Sequence, residues 1–179
     1  MNKNFDSDSL ITRKEISGWG RRDFVNSKLV NLKSSYEITN FIKGSYSSSL
    51  ITRGLGRSYG DAAQLKEDFV LNVNFSKGIS LSGNQLTVGG GVTIDQLLEV
   101  IVPLGYFLPV TPGSAKVTIG GAIAADVHGK NHHKIGSFGD HVLSIIVVDG
   151  KGEIQELKPN LEKNQIKNEF FWATVGGMG

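Results

Sequence analysis

Ile51-Thr52-Arg53-Gly54-Leu55-Gly56-Arg57-Ser58-Tyr59-Gly60-Asp61 runs a short apolar strand straight into glycines flanked by arginines. Without a Cβ, Gly54 and Gly56 can take positive φ and aim consecutive backbone N–H groups at an anion, while Arg53 and Arg57 add charge and Ser58 a hydroxyl. That is the chemistry of a phosphate cradle. A second segment, from Thr111 to Gly129, joins Pro112, Gly113 and Ser114 to Val117 and a small-residue run, Gly120, Gly121, Ala122, Ala124 and Ala125. Small side chains let backbone N–H groups reach a flat ring or a phosphate, and they equally let helices pack closely. Alone, Gly54 to Gly60 reads as an ordinary strand-to-helix turn and the small-residue run as close helix packing. Together they point to one long ligand held at both ends.

The spacing argues against the commonest dinucleotide motif. Gly54, Gly56 and Gly60 read G-x-G-x-x-x-G, one residue too long, and Asn72 and Asn74 stand where an acid would take a ribose hydroxyl. A metal centre built from Asp126, His128, His132, His133 and His141 is the tempting alternative. His128 and His132 have the i, i+4 spacing that suits zinc on a helix, but Gly129 and Asn131 interrupt any helix there. No metal site is expected, and His132 and His133 read as loop histidines that bond backbone or stay solvated.

Composition narrows the remaining classes. Nineteen Lys plus Arg against seventeen Asp plus Glu give a net charge of +2 with no basic run, so no nucleic-acid partner is expected. Gly is the outlier at 23 of 179 residues, well above the usual frequency of about 7%. The absence of cysteine removes disulfides, thiolate catalysis, Cys-type zinc sites and cysteinyl attachment of a cofactor. Met1 to Ser9 is polar, and the longest clear aliphatic run, Ile145 to Val148, is four residues. Neither a signal peptide nor a membrane span is encoded, which places the expected location in the cytoplasm or peripheral to a membrane.

The elements that must position these residues are α+β in class, since strands and helices mix without regular βα alternation. Residues 1–33 read as an extended N-terminal arm with a Gly18-Trp19-Gly20 turn. Residues 34–110 form a first α+β subdomain and 111–179 a second, incomplete one. Ser34-Ser35-Tyr36-Glu37 is a capping box ahead of Ile38, Phe41 and Ile42. Phe69 to Val73 and Leu86 to Val88 are expected strands, the first alternating as Phe69, Leu71 and Val73. Thr93 and Gln96 make a second capping box, and Val92 and Leu97 a hydrophobic staple, for a helix over 94–102 ended by Pro103 and Gly105. Asp149-Gly150-Lys151-Gly152 is a hairpin turn between Leu143–Val148, read as buried on both faces, and Glu153–Leu157. A polar loop from Lys158 to Asn168 follows, with a solvated face of Lys and Glu. Trp19 and Trp172 read as packing residues. An aromatic cluster and a glycine turn, Phe170 to Gly179, make an unusual terminus, so a C-terminally truncated fragment is expected, with self-association through that surface as one remedy.

Arg53 to Asp61, Val117 to His133 with Asp126-Val127-His128-Gly129-Lys130-Asn131-His132-His133, Gly136 to Gly139 and Phe171 to Gly177 together resemble the FAD-binding domain of the vanillyl-alcohol-oxidase (PCMH-type) superfamily. The resemblance covers roughly residues 15–179 and is nearest to its decaprenylphosphoryl-β-D-ribose oxidase branch. It implies two α+β subdomains with the flavin between them. Arg53, Gly54, Leu55, Gly56, Arg57, Ser58 and Tyr59 would hold the diphosphate. Pro112, Gly113, Ser114, Val117, Gly120, Gly121 and Ala122 would line diphosphate and ring, and Ala125, Val127, His128 and Gly129 would follow the flavin to its reactive edge. His128 and Lys130 would lie near the substrate, a sugar or lipid-linked sugar whose secondary alcohol is oxidised, with a role in building the cell envelope. Some superfamily members attach flavin through a histidine at the position of Arg57, so FAD is expected to be non-covalent here. Aldonolactone oxidation or another FAD-linked sugar-alcohol dehydrogenation is the alternative within the superfamily. A non-catalytic nucleotide-binding module is the alternative outside it. The isolated chain is expected to bind FAD weakly and to turn over little or no substrate.

Overall fold

The computed structural model describes residues 10–45, 48–73, 78–159 and 166–178. Its internal contacts divide the chain into two compact units, Met1–Phe75 with Val147–Gln155, and Ser76–Ile146 with Glu156–Gly179. This partition differs from the expected boundary at 110/111.

The first unit is built on a four-stranded sheet in the order β1 (Ile11–Ser17), β2 (Phe24–Leu32), β4 (Phe69–Val73), β3 (Leu50–Arg53). β1 and β2 pair antiparallel with Ile16 opposite Val25, while β4 runs parallel to both β2 and β3. Residues 11–17 and 24–32 of the expected extended arm are thus paired into the sheet, and Val30 and Leu32 pack with Ile38, Phe41, Ile42 and Leu71 into the core. The helix α1 (Ser35–Gly44) supplies three of those residues. Its start is capped by Ser34 as the sequence predicts, the Glu37 N–H donating to Ser34 Oγ at 3.2 Å, but the box does not close, because the Glu37 carboxylate accepts from Lys33 N at 2.7 Å rather than from Ser34 N. β4 departs from the expected alternation, since both Val70 and Leu71 are buried. A central parallel strand is covered on both faces, so its pattern loses the period of two. The Val73 side chain lies outside the described residues.

The second unit opens with a hairpin that the sequence reading half missed, β5 (Ile79–Ser82) paired with β6 (Gln85–Val88) around Gly83 at φ 56°. The helix α2 (Ile94–Ile101) begins with the full Thr93/Gln96 capping box. Val92 and Leu97 are both buried, as the staple requires. A 3-10 turn over Val102–Leu104 carries Pro103, and Gly105 at φ 83° ends it. Two short helices follow, α3 (Ile119–Ala124) and α4 (His132–Ile135), with α5 (Ile166–Thr174) last. Ile119 and Ala122 close a core with Val92, Ile94, Leu97 and Ile101.

A hairpin of β7 (Ile145–Val148) and β8 (Ile154–Leu157) falls across the division between the units. Its turn forms as expected: the Asp149 carboxylate accepts from Lys151 N and Glu153 N, both at 2.9 Å, and Gly152 takes φ 74°. β7 is not buried on both faces, because Ile146 is exposed; a two-stranded ribbon leaves one face open. The predicted polar loop falls mostly on residues outside the described ones, and α5 already begins at Ile166. Within α5, Phe171 is fully buried while Phe170 and Trp172 are largely exposed. Among the described residues, no helix is long and apolar enough to cross a membrane.

Candidate functional site

In the first unit, β3 delivers the chain to Arg53 at its last position, and the loop to Asp61 is shaped around that side chain. Arg53 Nη1 donates to the Ala63 carbonyl at 2.6 Å and Nη2 to the Ser17 carbonyl at 2.8 Å. Burial pushes the guanidinium pKa down from its ordinary value. Arg53 is therefore the strut of the loop rather than a charge presented to a ligand, which corrects the sequence reading. Gly56 sits directly on it: a Cβ there would lie 2.1 Å from Arg53 Nη2, and φ is 63°. Gly60 also takes positive φ, at 67°, whereas Gly54 does not. Among the described residues, no internal acceptor meets the backbone N–H groups of Gly54, Leu55 and Gly56. Leu55 and Tyr59 are exposed, Arg57 and Ser58 half-buried. The Arg57 guanidinium stands over the Trp19 ring at 4.4 Å, and Ser58 O accepts from Trp19 N at 2.9 Å.

In the second unit, the small-residue run behaves otherwise than expected. Ile119 N donates to Val92 O, Gly120 N to Gly90 O, Gly121 N to Thr118 Oγ1 and Ala122 N to Thr118 O. Every N–H in the first turn of α3 is thus engaged inside the protein. Gly120 packs closely, since a Cβ would stand 3.1 Å from Gly90 O, and Ala122 is wholly buried. Val117 and Val127 pack against the same core. For these positions the packing reading holds, and it removes Gly120, Gly121 and Ala122 as donors to a ring.

What the run positions is a pair of surface loops. Gly129 lies against the other loop, where a Cβ would meet Thr111 O at 3.1 Å, and Asn131 Nδ2 donates to Pro109 O at 3.1 Å. This joins the 109–111 segment, from which Pro112, Gly113 and Ser114 continue, to the 129–131 segment. Ala125, His128 and Lys130 are exposed. The 125–129 backbone is held by Asp126, a non-glycine residue at φ 42° whose Oδ1 accepts from Gly139 N at 2.9 Å. Val127 O accepts from Phe138 N at 2.9 Å, and His128 bridges to Ser137. A Cβ on Gly139 would stand 2.4 Å from Val175 Cγ1, so this support includes the end of α5. Trp19, Asp126, Gly139 and Asn131 were not singled out as site-forming from sequence, because each acts through a partner distant along the chain.

His132 and His133 open the short helix α4 with Asn131 as its N-cap, so they are not the loop residues the sequence reading expects, and His141 ends a 3-10 turn. His132 Nδ1 bonds Gly129 O at 3.1 Å and His141 Nε2 bonds Ile135 O at 3.0 Å. His128 meets His132 edge-on with ring centroids 5.1 Å apart. Among the described residues, no three metal-type ligands group closely enough to hold an ion. A cavity of about 210 Å³ lined by Arg13, Asn26, Ser27 and Glu67 shares no residue with either glycine segment. We assign no ligand to it.

A profile described as FAD binding domain matches residues 28–158. Decaprenylphosphoryl-beta-D-ribose oxidase of Mycolicibacterium smegmatis is 38% identical over 174 residues, 94% of this chain and 37% of that protein. D-lactate dehydrogenase of Archaeoglobus fulgidus is 28% identical over 86% of this chain and 36% of its own length. D-2-hydroxyglutarate dehydrogenase of Escherichia coli is 29% identical over 64% of this chain and 12% of its own length. The chain therefore spans 37% or less of each of these relatives.

Proposed function

The chain belongs to the FAD-binding domain family, and from that premise we propose that it holds FAD non-covalently for an oxidoreductase that oxidises a secondary alcohol of a sugar or lipid-linked sugar. The observation that carries the sugar is similarity along 94% of the chain to a protein named as a decaprenylphosphoryl-ribose oxidase. Two further relatives are named as dehydrogenases of lactate and 2-hydroxyglutarate, both hydroxy acids. They support a CH–OH donor and give a 2-hydroxy acid as the second reading.

The residues fit the cofactor. Gly56 turns the loop closely over the Arg53 guanidinium, which leaves no room for a Cβ, and the three adjacent N–H groups of Gly54 to Gly56 lack internal acceptors among the described residues. When bound, FAD supplies the hydride acceptor. The chain supplies binding and orientation. Arg53 fixes the loop, the N–H groups of Gly54 to Gly56 receive the diphosphate, and Arg57, Ser58 and Tyr59 border it. In the second unit, Pro112, Gly113, Ser114, Ala125 and His128 are offered to the cofactor from the surface loops, while Val117, Gly120, Gly121, Ala122, Val127 and the buried Gly129 hold those loops from beneath. His128 and Lys130 are exposed donors able to bond a sugar hydroxyl. Attachment is non-covalent because Arg57 stands where some relatives in the resembling superfamily carry the attaching histidine, and the chain has no cysteine.

Anaerobic addition of candidate donors to the full-length protein tests the reading through the visible flavin band. Bleaching by a ribose-bearing donor and none by D-lactate is expected. Bleaching by a 2-hydroxy acid alone would transfer the assignment to that class. A protein without any flavin band would leave a non-catalytic nucleotide-binding module.

A further inference from the structure

The turn between β1 and β2 is bound to the glycine loop by four contacts within the first unit. Arg53 reaches the Ser17 carbonyl 36 residues away, and the Trp19 N–H donates to Ser58 O. Gly18 approaches so closely that a Cβ would stand 2.1 Å from Gly60 O. The fourth contact is Arg57 over the Trp19 ring. The first three run through backbone at positions 17 to 19 and would survive many side chains at position 19. The fourth requires an aromatic face there. Trp19 leaves 46% of its surface exposed, so burial in a core does not account for an indole at this place. Stacking uses the face of a guanidinium and not its N–H edge, and a phosphate is bonded by that edge.

We propose that Trp19 is a positioning residue for the FAD diphosphate, acting through Arg57, whose guanidinium it fixes beside the cradle of Gly54 to Ser58. The inference rests on the FAD reading and adds to it a residue outside both glycine segments. It is specific to the ring: removing the aromatic face takes away the stacking contact on Arg57, while the backbone contacts of the turn persist.

FAD titration of the full-length apoprotein, followed by flavin fluorescence, provides the test. Trp19→Ala should weaken FAD by about tenfold, and Trp19→Phe, which keeps a π face, by no more than about threefold. Trp19→Leu keeps apolar bulk without that face and should behave as Trp19→Ala. In an Arg57→Ala background, Trp19→Ala should cost nothing further, because the two act as one unit. Unchanged affinity in Trp19→Ala, or an undiminished loss in the Arg57→Ala background, overturns the proposal. If Trp19→Ala does not fold, the comparison of Trp19→Leu with Trp19→Phe decides, and equal affinities overturn it. Wild-type apoprotein that takes up no FAD would instead bring down the FAD reading itself, and this inference with it.

Discussion

Arg53 shows why residue type alone misassigns a role. An arginine beside glycines reads as a phosphate ligand, yet its Nη groups close on the Ser17 and Ala63 carbonyls, and both partners lie on other parts of the chain. Arg53→Met removes two charge-assisted hydrogen bonds and leaves their acceptors short, so urea unfolding should show a loss of about 3 kcal/mol. An unchanged midpoint would mean that the loop does not depend on the strut. Gly56→Val acts on the same contact, since a Cβ would displace Arg53 and the residue must hold φ 63°. The backbone strain alone is worth about 1–2 kcal/mol. FAD binding should be lost and stability lowered together, and a variant of native stability with native FAD affinity would show that the loop is only a turn.

At the scale of elements, what was legible in the sequence is what is local. The caps of α1 and α2, the Val92/Leu97 staple and the Asp149 turn all close within five residues, and each is where the sequence puts it. β1 was hidden because only Ile16 along it is buried, leaving a run of polar and charged side chains on an edge strand. β5 was hidden by its length and its serines. The Asp95 carboxylate at the start of α2 links these caps to pH. Hydrogen bonds from Lys116 and Thr93 hold its pKa at about 2, below the ordinary 3.8. A carboxylate depressed in the folded state stabilises the fold above pH 3.8 and loses that contribution as the pH falls toward 2. Melting temperatures of wild type and Asp95→Asn should therefore differ near neutrality and converge toward the lower value of that range. A difference that persists unchanged at low pH would remove Asp95 as its source.

For the whole molecule, family membership was legible because the two glycine segments and the Asp126 to His133 run are dense in residues of unusual type and order. The placement of their N–H groups was not. The α3 donors are engaged by Val92, Gly90 and Thr118, and that pairing depends on how 90–93 meets 117–122. The central claim is that this chain carries FAD held by a phosphate cradle without a covalent bond. It is tested most directly by denaturing the purified full-length protein with acid or heat and separating precipitate from supernatant. The account predicts that intact FAD appears in the supernatant, in about equal amount to the protein. Flavin fluorescence that stays with the precipitated polypeptide would contradict non-covalent attachment, and a preparation with no flavin that cannot be loaded with FAD would contradict the claim entirely.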